Sequence, residues 1–570
     1  MAKKKIAAPR ARKKVAPKRK TAAKKSPAKK ASTKKAAAKK ASAKKSASKR
    51  AAKAEAKAAD HGGVLAIDEA AAATTEHVVA RMFCHGLGDC FLISIPQAET
   101  VRPYWIMIDC GIAKNTPDEP EKMQAVAETI AHLTEGKVDL LVVTHEHWDH
   151  VCGFGHAEEV FRDKIAFAHL WYAWTEDPED KVADELRAKK KKAQVALQHA
   201  FARLSRLEAK PQSVLDGIDG ILAYFGLGAA ANGGGRLTIA KAMDLSRKLV
   251  ASKGGKVHYL MPGEIRGLPD PAGGPGASGG AGGVRAYVLG PPHSAKQVRK
   301  TNPSKKHPET YHKEGEAGGH LAFAGLGAAL DNAPWLRAAF EAGDNGGRCE
   351  EAFDPFDRQW WIDEPELHPF FERHYFKGDE AMQHRRIDGD WLQGEAQRLA
   401  LHLDAYTNNT SLVLAFELPA SKKVLLFVGD AQVGSWLSWH DLEFHEGSRT
   451  VDIADLFARS VLYKVGHHGS HNATLRQQGL EMMTNRELTA LVPVEDAAVK
   501  RLRYGEMPLK SLMEALGHAC HKRVFRSDEI KGQNDAKKGK WGDRKTPRVV
   551  RCVGGDSAPV YLEVFIEDQA

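Results

Sequence analysis

Runs of apolar residues in the first half of the chain predict short strands, turns and one helix. The stretch HVVARMFCHGLGDCFLISI at 77–95 predicts two strands joined by a glycine-containing turn, and YWIMIDCG at 104–111 predicts a strand that ends at Asp109. Next, EKMQAVAETIAHLTEG at 121–136 has helical periodicity, and VDLLVVT at 138–144 is a continuous apolar strand. The succession of strand, helix and buried strand predicts an α/β layer architecture.

The last third of the chain repeats this arrangement. NNTSLVLAFEL at 408–418 predicts a strand, KKVLLFVGDAQ at 422–432 predicts a buried strand followed by Asp430, and VLYKVGHHGSHNAT at 461–474 predicts a strand followed by histidines. Apolar strands therefore deliver potential metal ligands at their ends in both halves of the chain. This duplication predicts an α/β fold of the αββα sandwich type.

The segments between these halves differ in composition. Residues 176–255 are charged and helix-forming, and residues 263–284 are rich in Gly, Pro and Ala with few side chains to pack. We expect both to form one insertion at about 176–283. A second insertion, polar and aromatic, is expected at about 295–390. The sequence thus predicts one domain over residues 77–570 with two insertions.

Charge is distributed unevenly along the chain. Of the net charge of +12, residues 1–58 contribute +23 from 24 Lys/Arg and one acid, so the rest carries −11. Basic pairs recur every five residues, which spreads charge around all sides of a helix, so we expect a disordered Lys/Ala-rich tail. Such a tail is suited to contact with nucleic-acid phosphates, although a solubilising leader is the alternative. The candidate phosphate contacts are Lys24, Lys25, Lys29, Lys30, Lys34, Lys35, Lys39 and Lys40.

Composition also bears on the compartment. No apolar segment of the kind found in secretory signals follows the charged start, and no run of about 18 apolar residues could cross a membrane. The seven cysteines are odd in number and contain no CxxC pair, which fits a reducing compartment better than a disulfide framework. We therefore expect a cytoplasmic protein without membrane contact, and nucleoid association through its tail.

The stretch THEHWDH places four ligand-type residues directly after the buried strand at 138–144. A tight loop can direct His145 and His147 toward one metal ion and Asp149 and His150 toward a second. Imidazole nitrogens and carboxylate oxygens at this spacing suit Zn²⁺ best, with Mn²⁺ or Fe as alternatives. The sequence therefore predicts a metal site at the end of this strand.

These motifs resemble those of the metallo-β-lactamase superfamily, whose HxHxDH signature is present in full at 145–150. More narrowly, the chain is similar to the soluble domain of ComEC-type DNA-uptake competence proteins. That resemblance rests on motifs that occur here in the same order: GLGD, IDCG, NNTSLVL, VGD and KVGHHGS. It implies a metallo-β-lactamase-like αββα sandwich and a metal-dependent hydrolase that uses a metal-bound hydroxide.

The resemblance also implies roles for individual residues. Asp109 is expected to support the ligand loops, Asp430 to bridge two metal ions, and His467 or His468 to complete the second site. The cofactor expected is Zn²⁺, two ions per chain, with Mn²⁺ as the alternative. Asp149 is expected to be a ligand that also accepts a proton. The candidate catalytic residues are Asp149 and Asp109.

The chain departs from the superfamily at one ligand of the first metal ion. A third histidine is expected shortly before the strand that ends at Asp430, but the matching segment at 407–411 reads TNNTS. Asn408 and Asn409 are poor substitutes for imidazole. The residues that could replace the missing ligand are His402, Asp404 and His293. If one metal ion binds more tightly, we expect it beside Asp149 and His150.

Three functions are compatible with these patterns. The first is a phosphodiesterase or nuclease that acts on nucleic acid, as the resemblance and the basic tail suggest. The second is hydrolysis of a small ester, thioester or lactam. The third is a nucleoid-associated DNA-binding protein whose metallohydrolase body is structural or inactive.

Overall fold

A computed structural model of the protein describes most of the chain that follows the basic tail. Seventeen strands lie in the described part. The described residues are 77–97, 100–204, 237–269, 283–304, 309–311, 368–376, 403, 405–502, 505–530, 548–554 and 557–569. The strands are β1 (Val78–Cys84), β2 (Phe91–Gln97), β3 (Thr100–Ile108), β4 (Lys137–Val142), β5 (Ala166–Ala173), β6 (Lys256–Leu260), β7 (Ile265–Leu268), β8 (Val284–Gly290), β9 (Val413–Glu417), β10 (Val424–Phe427), β11 (Glu443–Glu446), β12 (Arg449–Asp452), β13 (Ser460–Lys464), β14 (Thr489–Val492), β15 (Val524–Arg526), β16 (Arg548–Arg551) and β17 (Val560–Ile566).

These strands form two mixed sheets and a separate hairpin. The first sheet has the order β16-β17-β1-β2-β3-β4-β5-β6, antiparallel from β16 to β3 and parallel from β3 to β6. The second has the order β15-β14-β13-β10-β9-β8-β7, parallel from β15 to β10 and antiparallel from there to β7. The hairpin consists of β11 and β12. Each sheet therefore has one parallel and one antiparallel part.

Helices precede or follow most of the parallel strands. None of them, in the described ranges, has the length and apolarity needed to cross a bilayer. They are α1 (Glu119–Leu133), α2 (Trp148–His156), α3 (Glu158–Lys164), α4 (Lys181–Leu204), α5 (Ile239–Ala251), α6 (Ala295–Val298), α7 (Pro369–Phe371), α8 (Val433–Ser438), α9 (Ile453–Ala458), α10 (Asp496–Leu502) and α11 (Lys510–Ala519).

The apolar side chains form three layers of core, because successive residues of a strand point to opposite faces of its sheet. Between the sheets, Leu140 packs in one core with side chains of β9 and β10, and the rings of Phe91 and Phe427 meet edge to face at 5.5 Å. Leu141, the next residue of β4, lies in a second core with α1, α2 and α5. The outer face of the second sheet packs on α8, α9 and α11. The predicted αββα sandwich is confirmed.

Part of the predicted first insertion belongs to the sandwich. Helix α5 buries Ala242 and Val250 in the outer core, β6 pairs with β5, and β7 pairs with β8. The charged composition of this region hides the fact that α5 has one apolar face, which packs on the first sheet. Of the described residues in 176–283, those at 239–268 are thus parts of the two sheets and their helical layer.

A buried ion pair and its hydrogen-bond partners connect four strands of the first sheet. Arg81 of β1 donates from Nε to Glu563 of β17 at 2.9 Å and from Nη1 to Ser94 of β2 at 3.1 Å. Arg548 of β16 donates to the other oxygen of Glu563 at 2.6 Å. Arg81 and Glu563 have no solvent exposure, so each depends on the other for its charge to be tolerated.

Candidate metal centre

Three loops at the carboxyl ends of the strands of the first sheet are joined by backbone hydrogen bonds. The backbone amide of Asp89 donates to the carbonyl oxygen of Asp149 at 3.0 Å. The amide of Gly111 donates to the carbonyl oxygen of Asp89 at 3.0 Å, and the amide of Cys110 donates to the carbonyl oxygen of His150 at 2.8 Å. Gly111 is required by this close approach, since a Cβ atom there would lie 2.2 Å from the carbonyl carbon of Asp149. The loops after β1, β3 and β4 therefore form one rigid unit.

The segment after β4, which includes the first turn of α2, meets two loops of the second sheet, and together they bring four side chains into one cluster. Asp149, His150, Asp430 and His468 are buried, and one nitrogen or oxygen of each lies within 4.8 Å of all the others. Nε2 of His150 is 3.2 Å from Oδ2 of Asp430, and Nε2 of His468 is 2.9 Å from Oδ2 of Asp149. Two imidazoles and two carboxylates at these distances form a ligand set that suits a divalent ion.

The other nitrogen of each imidazole is held by a neighbour. Nδ1 of His150 lies 2.8 Å from Oδ2 of Asp109, and Nδ1 of His468 lies 2.6 Å from the carbonyl oxygen of Pro493. This arrangement places the proton of each neutral ring on Nδ1 and leaves Nε2 free to coordinate, as in metal-ligating histidines. The residues present therefore fit a divalent ion.

Asp109 acts on the cluster from outside it. Its Oδ1 accepts a hydrogen bond from the amide of Thr144 at 2.7 Å, and its Oδ2 accepts from the Thr144 hydroxyl at 2.6 Å as well as facing His150. Both oxygens are thus used in holding the loop after β4. Asp109 therefore contacts both the loop and the His150 ring, and the support role that the resemblance implies stays a prediction.

The carboxylates of the cluster raise the pKa of both its histidines. Burial alone would lower the pKa of His150, but the carboxylates of Asp430, Asp89, Asp149 and Asp109 raise it well above its usual value. The pKa of His468 is also raised, because Asp430 and Asp149 outweigh burial there. Without a metal ion, protons on these two rings balance the buried carboxylates.

His145 and His147 form a separate pair beside this cluster. Nε2 of His145 is 3.1 Å from Nδ1 of His147, and Nδ1 of His145 is 3.2 Å from the hydroxyl of Ser411. Burial lowers the pKa of His147 to about 3, so its ring is neutral. In the part of the chain that the structure describes, no third His, Cys, Asp or Glu joins this pair within 4.8 Å.

The residues considered as replacements for the third histidine lie elsewhere or have other partners. His293 pairs with Asp180 at 3.2 Å and its ring stands edge-on to Trp174. Asn409 donates to the carbonyl oxygens of Gln297, Val298 and Lys300 and accepts from the amides of Gln432 and Ser435, so its side chain fastens two loops together. His402 and Asp404 lie outside the described residues.

The turn after β13 distinguishes its two histidines. His467 and His468 both have positive φ angles, 42° and 53°, and their rings have different neighbours. His468 joins the cluster. His467 donates its amide to Oδ1 of Asp430 at 3.1 Å, while its ring lies 3.3 Å from the amide nitrogen of Asn408 and 2.9 Å from the Ser470 hydroxyl. Of the two histidines, His468 is therefore the one that lies in the cluster.

Two charged residues beside the cluster were not assigned a role from the sequence. The ammonium of Lys464 is buried, 2.5 Å from Oδ2 of Asp89 and 3.1 Å from Oδ1 of Asp430. Both residues lie in motifs that the sequence displays, since Asp89 ends GLGD and Lys464 begins KVGHHGS. The available signal was a charged residue at the end of an apolar strand for Lys464, and a charged residue in the turn between two apolar strands for Asp89.

Residues 103–233 match the family model of the metallo-β-lactamase superfamily. The matched segment contains Asp109 and the ligand-type residues at 145–150, whereas Asp430 and His468 lie beyond it. No curated protein sequence matches the chain. The match supports the superfamily resemblance over this segment, and the narrower similarity to ComEC-type proteins stays an expectation from the motifs.

Proposed function

We propose that the protein is a metal-dependent hydrolase that cleaves phosphodiester bonds in nucleic acid. The observation that carries the hydrolase assignment is the buried cluster of Asp149, His150, Asp430 and His468. The match to the metallo-β-lactamase superfamily supports the same chemistry. Zn²⁺ is the ion that the mixed nitrogen and oxygen ligands favour, and Mn²⁺ is the alternative.

Each residue of the cluster has a separate task in such a reaction. When bound, a divalent ion polarises the bond under attack and lowers the pKa of a water molecule. His150 and His468 hold their Nε2 atoms toward it, because Asp109 and Pro493 fix the opposite side of each ring. Asp430 supplies a carboxylate from the second sheet.

Asp149 is suited to accept the proton of the attacking water. Its Oδ2 faces His468, while its Oδ1 is buried and accepts no hydrogen bond from any described residue. Burial alone would raise the pKa of Asp149, but His150 and His468 lower it below its usual value. The carboxylate is therefore ionised and has one oxygen available as a general base.

Helix α4 supports the proposal that the substrate is a polyanion. Its Lys190 is buried and contacts Glu146 at 2.7 Å, between the two histidines of the ligand loop. Leu186 of the same helix packs with Trp174, Val298 and Tyr406 in a small core. The helix is thus fastened beside the metal centre by apolar and ionic contacts.

The basic surface of α4 comes from the residues on either side of its anchor. Lys189, Lys191 and Lys192 are exposed, while Lys190 between them points inward. These three lysines lie on the helix that Lys190 fastens to Glu146, and we propose that they contact a phosphate backbone. The acids of α4, Asp184 and Glu185, lie closer to its amino end.

Hydrolysis of defined substrates tests the proposed function. The full chain, first stripped of metal and then supplied with Zn²⁺ or Mn²⁺, is incubated with linear and circular DNA, RNA, bis-p-nitrophenyl phosphate, and a panel of esters, thioesters and lactams. We expect metal-dependent cleavage of the phosphodiesters. Cleavage confined to the ester, thioester or lactam panel would replace this proposal with a small-substrate hydrolase.

The same experiment extends to the basic tail. We propose that residues 1–58 hold nucleic acid near the site and place the protein at the nucleoid, on the basis of their 24 Lys/Arg. A chain lacking these residues should retain bis-p-nitrophenyl phosphate cleavage and bind DNA less tightly at low salt. Unchanged DNA affinity would remove the tail from the proposal, and DNA binding without any hydrolysis would favour a binding protein.

Replacing Lys189, Lys191 and Lys192 together with Gln is expected to raise the KM for DNA about tenfold at low salt. The reason is the loss of up to three phosphate contacts. The slope of the logarithm of the binding constant against the logarithm of the salt concentration should also become less steep by about two to three. Steady-state kinetics at several salt concentrations measure both effects. The KM for bis-p-nitrophenyl phosphate should not change, because that substrate has no extended backbone.

A matched control removes the same charge elsewhere. Lys256, Lys500 and Lys510 are exposed lysines on β6, α10 and α11. Their replacement with Gln should leave the KM for DNA close to that of the unaltered chain. Equal effects of the two triple variants would show that α4 has no specific role in substrate binding.

A further inference from the structure

We infer that the buried ammonium of Lys464 excludes a second metal ion, so that the protein binds one divalent ion per chain, at Asp149, His150, Asp430 and His468. This inference rests on the proposed function in taking that cluster as the metal site. It differs from the two-ion site that the superfamily resemblance implies.

The ammonium of Lys464 is held on all sides. Its Nζ lies 2.5 Å from Oδ2 of Asp89, 2.7 Å from the carbonyl oxygen of Gly429 and 3.1 Å from Oδ1 of Asp430. An ammonium has three protons, and these three acceptors use all of them. With the side chain only 1% exposed, the charge is a fixed component of the protein interior.

Asp430 is left with one oxygen for a metal ion. Its Oδ1 accepts from Lys464 and from the amide of His467, both at 3.1 Å. Its Oδ2 faces Nε2 of His150 at 3.2 Å and Nε2 of His468 at 3.8 Å. A carboxylate that joins two metal ions through its two oxygens needs both to be open, and here the ammonium has taken one.

Among the residues that the structure describes, the opposite half of the expected two-ion site is also incomplete. His145 and His147 offer two imidazoles, and no further His, Cys, Asp or Glu of the described residues completes the set. The position of their missing histidine is occupied by Asn408 and Asn409, and Asn409 is committed to backbone groups. A cation near this pair would also be repelled by the buried ammonium of Lys464.

The number of bound ions is measurable without any activity assay. The full chain is freed of metal with a chelator, dialysed against Mn²⁺, and analysed by elemental mass spectrometry and electron paramagnetic resonance. We expect about one ion per chain at saturation and the six-line spectrum of an isolated Mn²⁺. About two ions per chain with an exchange-coupled spectrum would overturn the inference.

Substitutions at Lys464 test whether its charge sets this number. In Lys464→Met, Asp89 and Asp430 lose their cation, and the metal content should rise above one per chain. In the double variant Lys464→Met with Asp89→Asn, the carboxylate that lost its cation is also removed, and the metal content should return to about one per chain. A content of one in Lys464→Met, with unchanged affinity, would contradict the role assigned to Lys464. The double variant keeps the buried charge balanced and guards against failure of the single variant to fold.

The outcomes for ion number and for hydrolysis are separable. Each reconstituted sample is also assayed on the phosphodiester and ester panel. One bound ion without hydrolysis of any substrate would contradict the proposed function and leave the ion number intact. Two bound ions with hydrolysis would contradict the inferred ion number and leave the proposed function intact.

Discussion

Replacing Asp149 with Asn is expected to weaken divalent-ion binding by more than about 100-fold and to abolish the metal-dependent hydrolysis. Asp149 contributes a carboxylate to the cluster and has the one oxygen suited to accept a proton from water. Residues that merely orient a ligand change metal affinity by roughly 10- to 100-fold when substituted, so a ligand itself should exceed that range. Competition with a metal indicator measures the affinity, and bis-p-nitrophenyl phosphate cleavage measures the activity.

The control for this substitution makes the same chemical change at the surface. Asp163 lies at the exposed end of α3, where it pairs with Arg162. Asp163→Asn should leave both metal affinity and hydrolysis as in the unaltered chain. If Asp149→Asn bound the ion as tightly as the unaltered chain, Asp149 would not be a ligand.

Replacing Glu563 with Met is expected to lower the free energy of unfolding by about 3–5 kcal/mol. The substitution removes the carboxylate between Arg81 and Arg548 and leaves the fully buried guanidinium of Arg81 without its counter-charge. The side chain of Met fills a similar volume, so the loss comes from the charge. Denaturant unfolding followed by far-UV circular dichroism measures the change.

Two further variants distinguish the buried pair from a general effect of losing a carboxylate. Arg81→Met combined with Glu563→Met removes both buried charges and should recover most of the lost stability, since apolar replacement of a buried pair is often neutral. Glu487→Met, at a half-exposed ion pair with Lys423, should cost less than about 1 kcal/mol. Equal losses for Glu563→Met and Glu487→Met would refute the role of the buried pair.

The residues of the candidate site could be found from the sequence because each follows an apolar strand. Asp109, the residues at 145–150, Asp430 and the histidine pair at 467–468 all come directly after buried β-strands. The carboxyl ends of parallel strands meet at one edge of a sheet, so side chains far apart in sequence are expected there together. The αββα architecture was predictable for the same reason, from the order of strands and helices.

Contacts that depend on tertiary packing could not be predicted in this way. Which of His467 and His468 enters the cluster depends on the geometry of a turn in which both residues have positive φ angles. The letters HHG do not specify that geometry. The pairing of Lys464 with Asp89 joins residues on different sheets, and no sequence spacing encodes it. The docking of α5 on the first sheet was missed because its charged face dominated the composition of that region.

The first sheet pairs β1 with β17, the first and last of the described strands, so it is completed late in synthesis on the ribosome. β1 pairs along its full length with β17, so its partner is made only after nearly all of the chain has been translated. The four residues of the cluster likewise come from positions as far apart as 149 and 468. Such long-range pairing forms late in folding. A divalent ion bound by the cluster would therefore enter after translation, between histidines that Asp109 and Pro493 hold in place.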